Sequence, residues 1–167
     1  DFCRNLLNKL LETDKGFITN YVSVLYQELF HNDPDLIYKE LCDLKDSERQ
    51  NIIFAMLNAL SNLPYQEKQY KRFIDHTLNV FEYVEGRNLP DTAMCLTDSY
   101  GRMIKHRTEV VDKIENYLQL NDPKVDYIVS RLLFVNLEKF VDTAYFQRLL
   151  MPLSRTSVEN KEIIKNL

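Results

Sequence analysis

Three glycines in 167 residues leave this chain few ways to turn sharply. The tight turns that join antiparallel strands rely on positive-φ residues, glycine above all, and hairpin dipeptides such as Asn-Gly are absent. Period-two alternation over five or more residues is rare, whereas apolar residues recur at spacings of three and four, the period of an amphipathic helix. The expectation is an all-α chain of about eight or nine helices, forming an irregular helical bundle or an α-α superhelix of the armadillo or HEAT kind.

The helices can be placed by their stripes and punctuation. Phe2 to Glu12 carries Leu6, Leu7, Leu10 and Leu11. Thr13 and Asp14 can cap a second helix with Phe17, Ile18, Tyr21, Val22, Leu25, Leu29 and Phe30 inward, stopping at His31-Asn32. Asp33-Pro34 opens a third with Leu36, Ile37 and Leu41, because Asp accepts from free helix N–H groups and Pro fits where none is needed. Asp46 or Ser47 caps a fourth, with Ile52, Ile53, Met56, Leu57 and Leu60, ended by Asn62-Leu63-Pro64. Tyr65 to Val84 reads as a fifth, closed by a left-handed Gly86. A sixth carries Met94, Leu96 and Tyr100 and either runs through Gly101 or kinks there. Val110 to Leu120 follows, and Asn121-Asp122-Pro123 repeats the earlier Asn-Asp-Pro start ahead of Val125 to Phe134, then Leu137, Phe140 and Val141. Two faintly similar starts could mark a helical repeat, but a shared cap is the simpler account. Tyr145 to Met151 is halted by Pro152, and Thr156 with Glu159 forms a capping box for a last helix with Ile163 and Ile164.

Composition narrows the function classes. An apolar fraction of 45% with 28% charged residues belongs to a globular chain rather than a disordered one. The net charge of -4 and the scatter of Lys and Arg among acids argue against a nucleic-acid binder; the densest basic run is Lys105-His106-Arg107. Nothing reaches the length of a membrane-spanning apolar run, and no signal peptide opens the chain. Cys3, Cys42 and Cys95 are odd in number and far apart, with no CxxC pair, and no Asn-x-Ser/Thr sequon occurs. These features suit a reducing compartment, cytoplasmic or nuclear, with the cysteines as small apolar residues. The chain opens on Asp1 and Val158 to Leu167 reads as a helix in progress, so the expectation is one all-α domain over 1–167, cut from a longer protein.

No phosphate loop, nucleophile elbow or His-Glu-x-x-His is present. His31, His76 and His106 are dispersed, without a second ligand at metal-like spacing. Asp112 with Glu115, and Asp43 with Asp46, are carboxylate pairs on helix faces, a pattern that can do acid–base work and more often sits solvated beside Lys or Arg. The expectation is no catalytic residue, cofactor or metal within the chain; the competing reading is an enzyme core completed by other domains. Ten tyrosines and no Trp point elsewhere. Tyrosines that flank apolar stripes can anchor a partner peptide in a helical groove, and Tyr65, Tyr70, Tyr83, Tyr100, Tyr117 and Tyr127 are the candidate interaction face.

Two resemblances bear on the partner. The run from Phe2 to Leu11, with Phe17-Ile18, Tyr21 to Leu29, Gln69 to Tyr83 and Pro90 to Leu118, resembles the helical core ahead of the terminal module in ubiquitin-chain elongation (E4-type) ligases and in some large RING ligases. That resemblance implies an armadillo-like scaffold that leaves catalysis to a recruited conjugating enzyme through a module this chain lacks; it carries no residue roles. Ser99-Tyr100-Gly101-Arg102 is similar to the Asn-Trp-Gly-Arg corner of Bcl-2-like proteins, which implies a groove for BH3-type peptides. The helix that follows departs from that pattern, being amphipathic with Lys105, His106, Arg107, Glu109, Asp112, Lys113 and Glu115, and no Leu-x-x-x-Gly-Asp segment is present. A protein-interaction scaffold segment is the leading expectation.

Overall fold

The computed structural model describes residues 2–13, 18–135 and 143–154. Among these it has nine α-helices and no strand, an all-α helical bundle as the apolar periodicity requires. The helices are α1 (Phe2–Glu12), α2 (Ile18–Phe30), α3 (Pro34–Asp43), α4 (Gln50–Ser61), α5 (Ile74–Gly86), α6 (Thr92–Met103), α7 (Val110–Leu118), α8 (Pro123–Val135) and α9 (Ala144–Ser154), with 3-10 turns at Leu44–Asp46 and Lys68–Phe73. No helix among the described residues is long and apolar enough to cross a membrane. Asp14 and Phe17, the stretch with Leu137, Phe140 and Val141, and the Thr156–Glu159 capping box lie outside the described residues. The chain divides into two compact units, Asp1–Cys95 and Leu96–Leu167.

In the first unit α4 is the central element. Ile52, Ile53, Ala55, Met56, Leu57, Ala59, Leu60 and Ser61 are all buried, which takes up most of the helix circumference and marks a helix packed on nearly every side. Its largest contact is with α2, through a helix that buries Val22, Ser23, Tyr26 and Phe30. Tyr21, on the expected inner stripe of α2, points outward with Val24 instead. Helix α3 packs on α2 and α4, starting where Asp33 Oδ1 accepts from the Leu36 N–H at 3.2 Å and Pro34 takes the first helical position. Arg4 of α1 donates to both carboxylate oxygens of Glu40 on α3, and the Arg49 guanidinium donates to the carbonyls of Leu11, in the last turn of α1, and Thr13, just past it.

Three local expectations change. The segment from Tyr65 is not α-helical until Ile74: Lys68–Phe73 is a 3-10 helix. Tyr65 and Tyr70 are both buried, yet five residues of α-helix would point them about 140° apart. The 3-10 period of three instead aligns Tyr70 with Phe73 on one inward edge. The left-handed residue expected at Gly86 falls at Asn88 (φ 50°), whose side-chain amide donates to the Gly86 carbonyl at 3.3 Å; Gly86 is the last residue of α5. Neither Asp46 nor Ser47 is the cap of α4, whose first residue is Gln50. Ser47 Oγ accepts from the N–H of Arg49, the residue just before the helix, and Asp46 is turned toward α5.

In the second unit α7 buries Val110, Val111, Ile114, Tyr117 and Leu118, and α8 buries Val125, Ile128, Val129 and Leu133. Helix α9 packs on both through Leu149 and Leu153, four residues apart on one face. Pro152 does not halt α9 at Met151: it lies in the last turn, where a missing N–H forfeits a single helix bond while Leu153 stays packed. Helix α6 runs through Gly101 unbroken; a Cβ there would stand 3.0 Å from Leu132 Cδ2, so the glycine serves a close approach and not a hinge. Asp98 joins α6 to α8, taking Arg102 Nη2 at 2.8 Å and Arg131 Nη2 at 3.0 Å.

The second Asn-Asp-Pro start works differently from the first. Asn121 is left-handed (φ 53°), and Asp122 Oδ1 accepts from the Lys124 N–H at 2.8 Å. A Cβ-bearing residue without a polar side chain pays about 1–2 kcal/mol in that region. Asn121→Ala is therefore expected to lower stability by about 1 kcal/mol, and Asn121→Gly to leave it unchanged or slightly raised. Urea midpoints of the two variants check this; equal losses would show that the position does not need left-handed backbone.

Candidate functional site

The structure separates the six candidate tyrosines. Tyr65 is fully buried, and Tyr70 lies edge-on to Phe30 with ring centroids 4.8 Å apart. Tyr100 and Tyr117 are buried with their rings 6.4 Å apart, and Tyr127 is half-buried on α8. Tyr83 alone of the six is substantially open, at 47% exposure. Tyr65, Tyr70 and Tyr83 belong to the first unit and the other three to the second. Tyr65, Tyr70, Tyr100 and Tyr117 are core residues with at most 8% of their surface open, so the six do not make one binding face.

The reason is visible at Tyr65. A buried tyrosine needs its hydroxyl satisfied, and this core does so internally. Tyr65 Oη donates to the Leu60 carbonyl at 2.8 Å and lies 2.8 Å from Thr77 Oγ1, which is itself 2.8 Å from Tyr38 Oη. Tyr38 Oη donates to the Phe73 carbonyl at 3.1 Å. Each phenol has a carbonyl to donate to, Phe73 O for Tyr38 and Leu60 O for Tyr65, and the Thr77 hydroxyl between them donates to one of the two phenol oxygens. Burial pushes both phenols well above the ordinary tyrosine range, so they remain neutral donors.

Tyr83 has the opposite surroundings. Buried α5 residues Thr77, Phe81 and Val84 define its inner stripe, and Tyr83 sits about 120° around the helix from it. One turn on, Arg87 follows the helix end and its guanidinium donates to the carbonyls of Lys45 and Ser47, the latter at 3.1 Å. That tie holds the Leu44–Asp46 turn against α5. In consequence Tyr83 Oη donates to Asp46 Oδ1 at 2.6 Å, and Lys45 Nζ stands 3.4 Å from Asp46 Oδ2 and 5.5 Å from the Tyr83 ring centroid. The Tyr83 hydrogen bond, with smaller help from Lys45 and Arg87, lowers the Asp46 carboxyl below its usual range, and the same bond raises Tyr83. The result is an exposed aromatic ring fixed at both ends, by its helix and by its hydroxyl.

The pairing of Tyr83 with Lys45, Asp46 and Arg87 had no signal in the sequence, because the contacts span about forty residues and arise only when the turn meets α5. The other carboxylate pair is occupied: Arg148 of α9 donates through Nη2 to Asp112 Oδ1 at 2.5 Å and through Nε to Glu115 Oε1 at 2.9 Å, a structural clasp. His76 lies 5.6 Å from the Tyr38 ring. Cys42 is buried, and burial pushes its thiol up to about 11; Cys3 and Cys95 are half-buried. Among the described residues no three His, Cys, Asp or Glu side chains gather as a metal site.

No family model, no curated protein and no solved structure matches the chain.

Proposed function

We propose that this chain is a protein-interaction scaffold, an armadillo-like segment of a larger cytoplasmic or nuclear protein, with Tyr83 as an anchor for a protein partner. The observation that carries the reading is the pinned, exposed Tyr83 ring. Binding anchors are enriched in tyrosine, and an aromatic already held in place loses little freedom when a partner covers it. The ubiquitin-ligase resemblance is a proposal about the parent protein: the scaffold would hold a substrate or an assembly factor while a separate module transfers ubiquitin.

A photo-crosslinking residue at Asn79, exposed one turn before Tyr83 on α5, tests the reading in cells. The expected result is a protein crosslink that Tyr83→Ala reduces at least about fivefold, the loss typical of an anchor truncation. Tyr83→Phe keeps the ring and is expected to retain most of the crosslink. Tyr83-dependent capture of ubiquitin-transfer proteins supports the ligase parent. Capture of a helical BH3-type peptide supports the Bcl-2-like alternative instead. Crosslinks that ignore Tyr83, or none at all, overturn the scaffold reading at this site, and the enzyme-core alternative then stands.

A further inference from the structure

The Tyr83 site holds a cation of its own, and holds it poorly. Lys45 Nζ is 5.5 Å from the ring centroid, close to the outer limit of about 6 Å for a cation–π contact. Its 3.4 Å separation from Asp46 Oδ2 is longer than the roughly 2.7–2.9 Å of a good charge-assisted hydrogen bond. Geometry explains the slack. Lys45 and Asp46 are neighbours in a 3-10 turn, so the lysine must fold back along its own backbone to reach both the ring and the carboxylate. Asp46 is exposed and Lys45 is partly covered, with 28% of its side chain open, so the pair is still screened by solvent on the carboxylate side, where an ion pair contributes little. The surrounding charge favours a cation from outside: Asp46 is an exposed carboxylate, Asp43 and Glu82 are exposed close by in the chain, and the whole chain carries -4. The nearest competing cation, Arg87, is committed to the carbonyls of Lys45 and Ser47.

We infer that the Tyr83 ring and the Asp46 carboxylate form a subsite for an arginine side chain on an exposed basic segment of a protein partner, with Lys45 as the internal group it displaces. This rests on the interaction reading of Tyr83 and names its partner's chemistry. Arginine fits better than lysine because a planar guanidinium can stack on the ring and donate two parallel hydrogen bonds to one carboxylate. Releasing Lys45 gives up one long ion pair and one distant ring contact, which the two bonds and the stacking of a guanidinium replace.

The test is a backbone-amide NMR titration of the full chain with a six-arginine peptide, a six-lysine peptide as comparison. Shifts are expected to concentrate at Lys45–Ser47 and Glu82–Arg87, with the arginine peptide binding about threefold or more tighter than the lysine peptide. Tyr83→Ala and Asp46→Asn should each weaken it about three- to fivefold. Lys45→Ala should tighten it about twofold or more, beyond Lys68→Ala, which removes the same charge from an exposed position elsewhere in the unit. Shifts spread over the acidic surface, equal effects of Lys45→Ala and Lys68→Ala, or no preference for arginine each overturn the inference. If Tyr83-dependent crosslinks persist while the peptide fails, the partner chemistry is wrong and the anchor stands; if both fail, the anchor falls as well.

Discussion

Leu57→Ala is expected to destabilise the first unit by about 2–5 kcal/mol, a large share of the stability of a domain of this size. Leu57 is fully buried, and so are Ile53, Met56 and Leu60 around it. Truncation removes the transfer energy of the lost methyl groups and leaves a void that the neighbours fill only in part. Neighbouring helices are not free to close in, because α3 is tied to α1 by Arg4–Glu40 and Arg49 holds the end of α1. Hydrogen exchange of α4 amides and the urea midpoint of the unit both report the loss. A change under about 1 kcal/mol would mean that α4 is not surrounded. Lys68→Ala, on an exposed residue, is the matched control and should move the midpoint by less than about 0.5 kcal/mol.

Thr77→Val should cost about 1–3 kcal/mol despite keeping the side-chain shape. The Thr77 hydroxyl lies 2.8 Å from both phenol oxygens, whose own protons go to the Phe73 and Leu60 carbonyls; Val at 77 removes the hydroxyl's bond and sets a methyl against two phenol oxygens in a dry core. Thr77→Ser keeps the hydroxyl and should recover most of the loss. Adding Tyr38→Phe to Thr77→Val should cost less than the sum of the single changes, since the two groups serve one network. An additive result would show that the hydroxyls act independently.

The same core sets the behaviour in alkali. Burial pushes Tyr26 up to about 12 and Cys42 up to about 11, from ordinary values of 10.0 and 9.0, and raises Tyr38 and Tyr65 as well. The folded state thus holds these protons more tightly than the unfolded chain. Their contribution is fully present below about pH 9 and is lost as pH rises through the folded values. The urea midpoint of the first unit is expected to fall from about pH 9 to about pH 12, together with a late, cooperative appearance of tyrosinate absorbance. Tyrosines that all titrate near their ordinary value without unfolding would contradict the buried network.

Some of this was legible from residues alone. The paucity of glycine and the three-and-four spacing led to an all-α chain, and the Asp-Pro starts at Asp33 and Asp122 are caps in the structure, because capping and periodicity are local properties. The candidate site was legible only at Tyr83. Tyrosine is ambiguous in sequence, with an apolar ring that favours burial and a hydroxyl that favours water. Which wins depends on whether a partner for the hydroxyl stands nearby, and Thr77 meets Tyr38 across 39 residues.

The sequence by itself determined the helical class, the approximate extent of most helices and their apolar faces, because each depends on neighbours within a turn or two of the chain. Only the tertiary structure decided that Tyr65–Phe73 leaves the α-helical path, that Asp46 turns toward Tyr83 rather than capping α4, and that Asp112 and Glu115 are held by Arg148. In each case the deciding contact joins segments remote in the chain, and its free energy outweighs a local preference of about 1 kcal/mol.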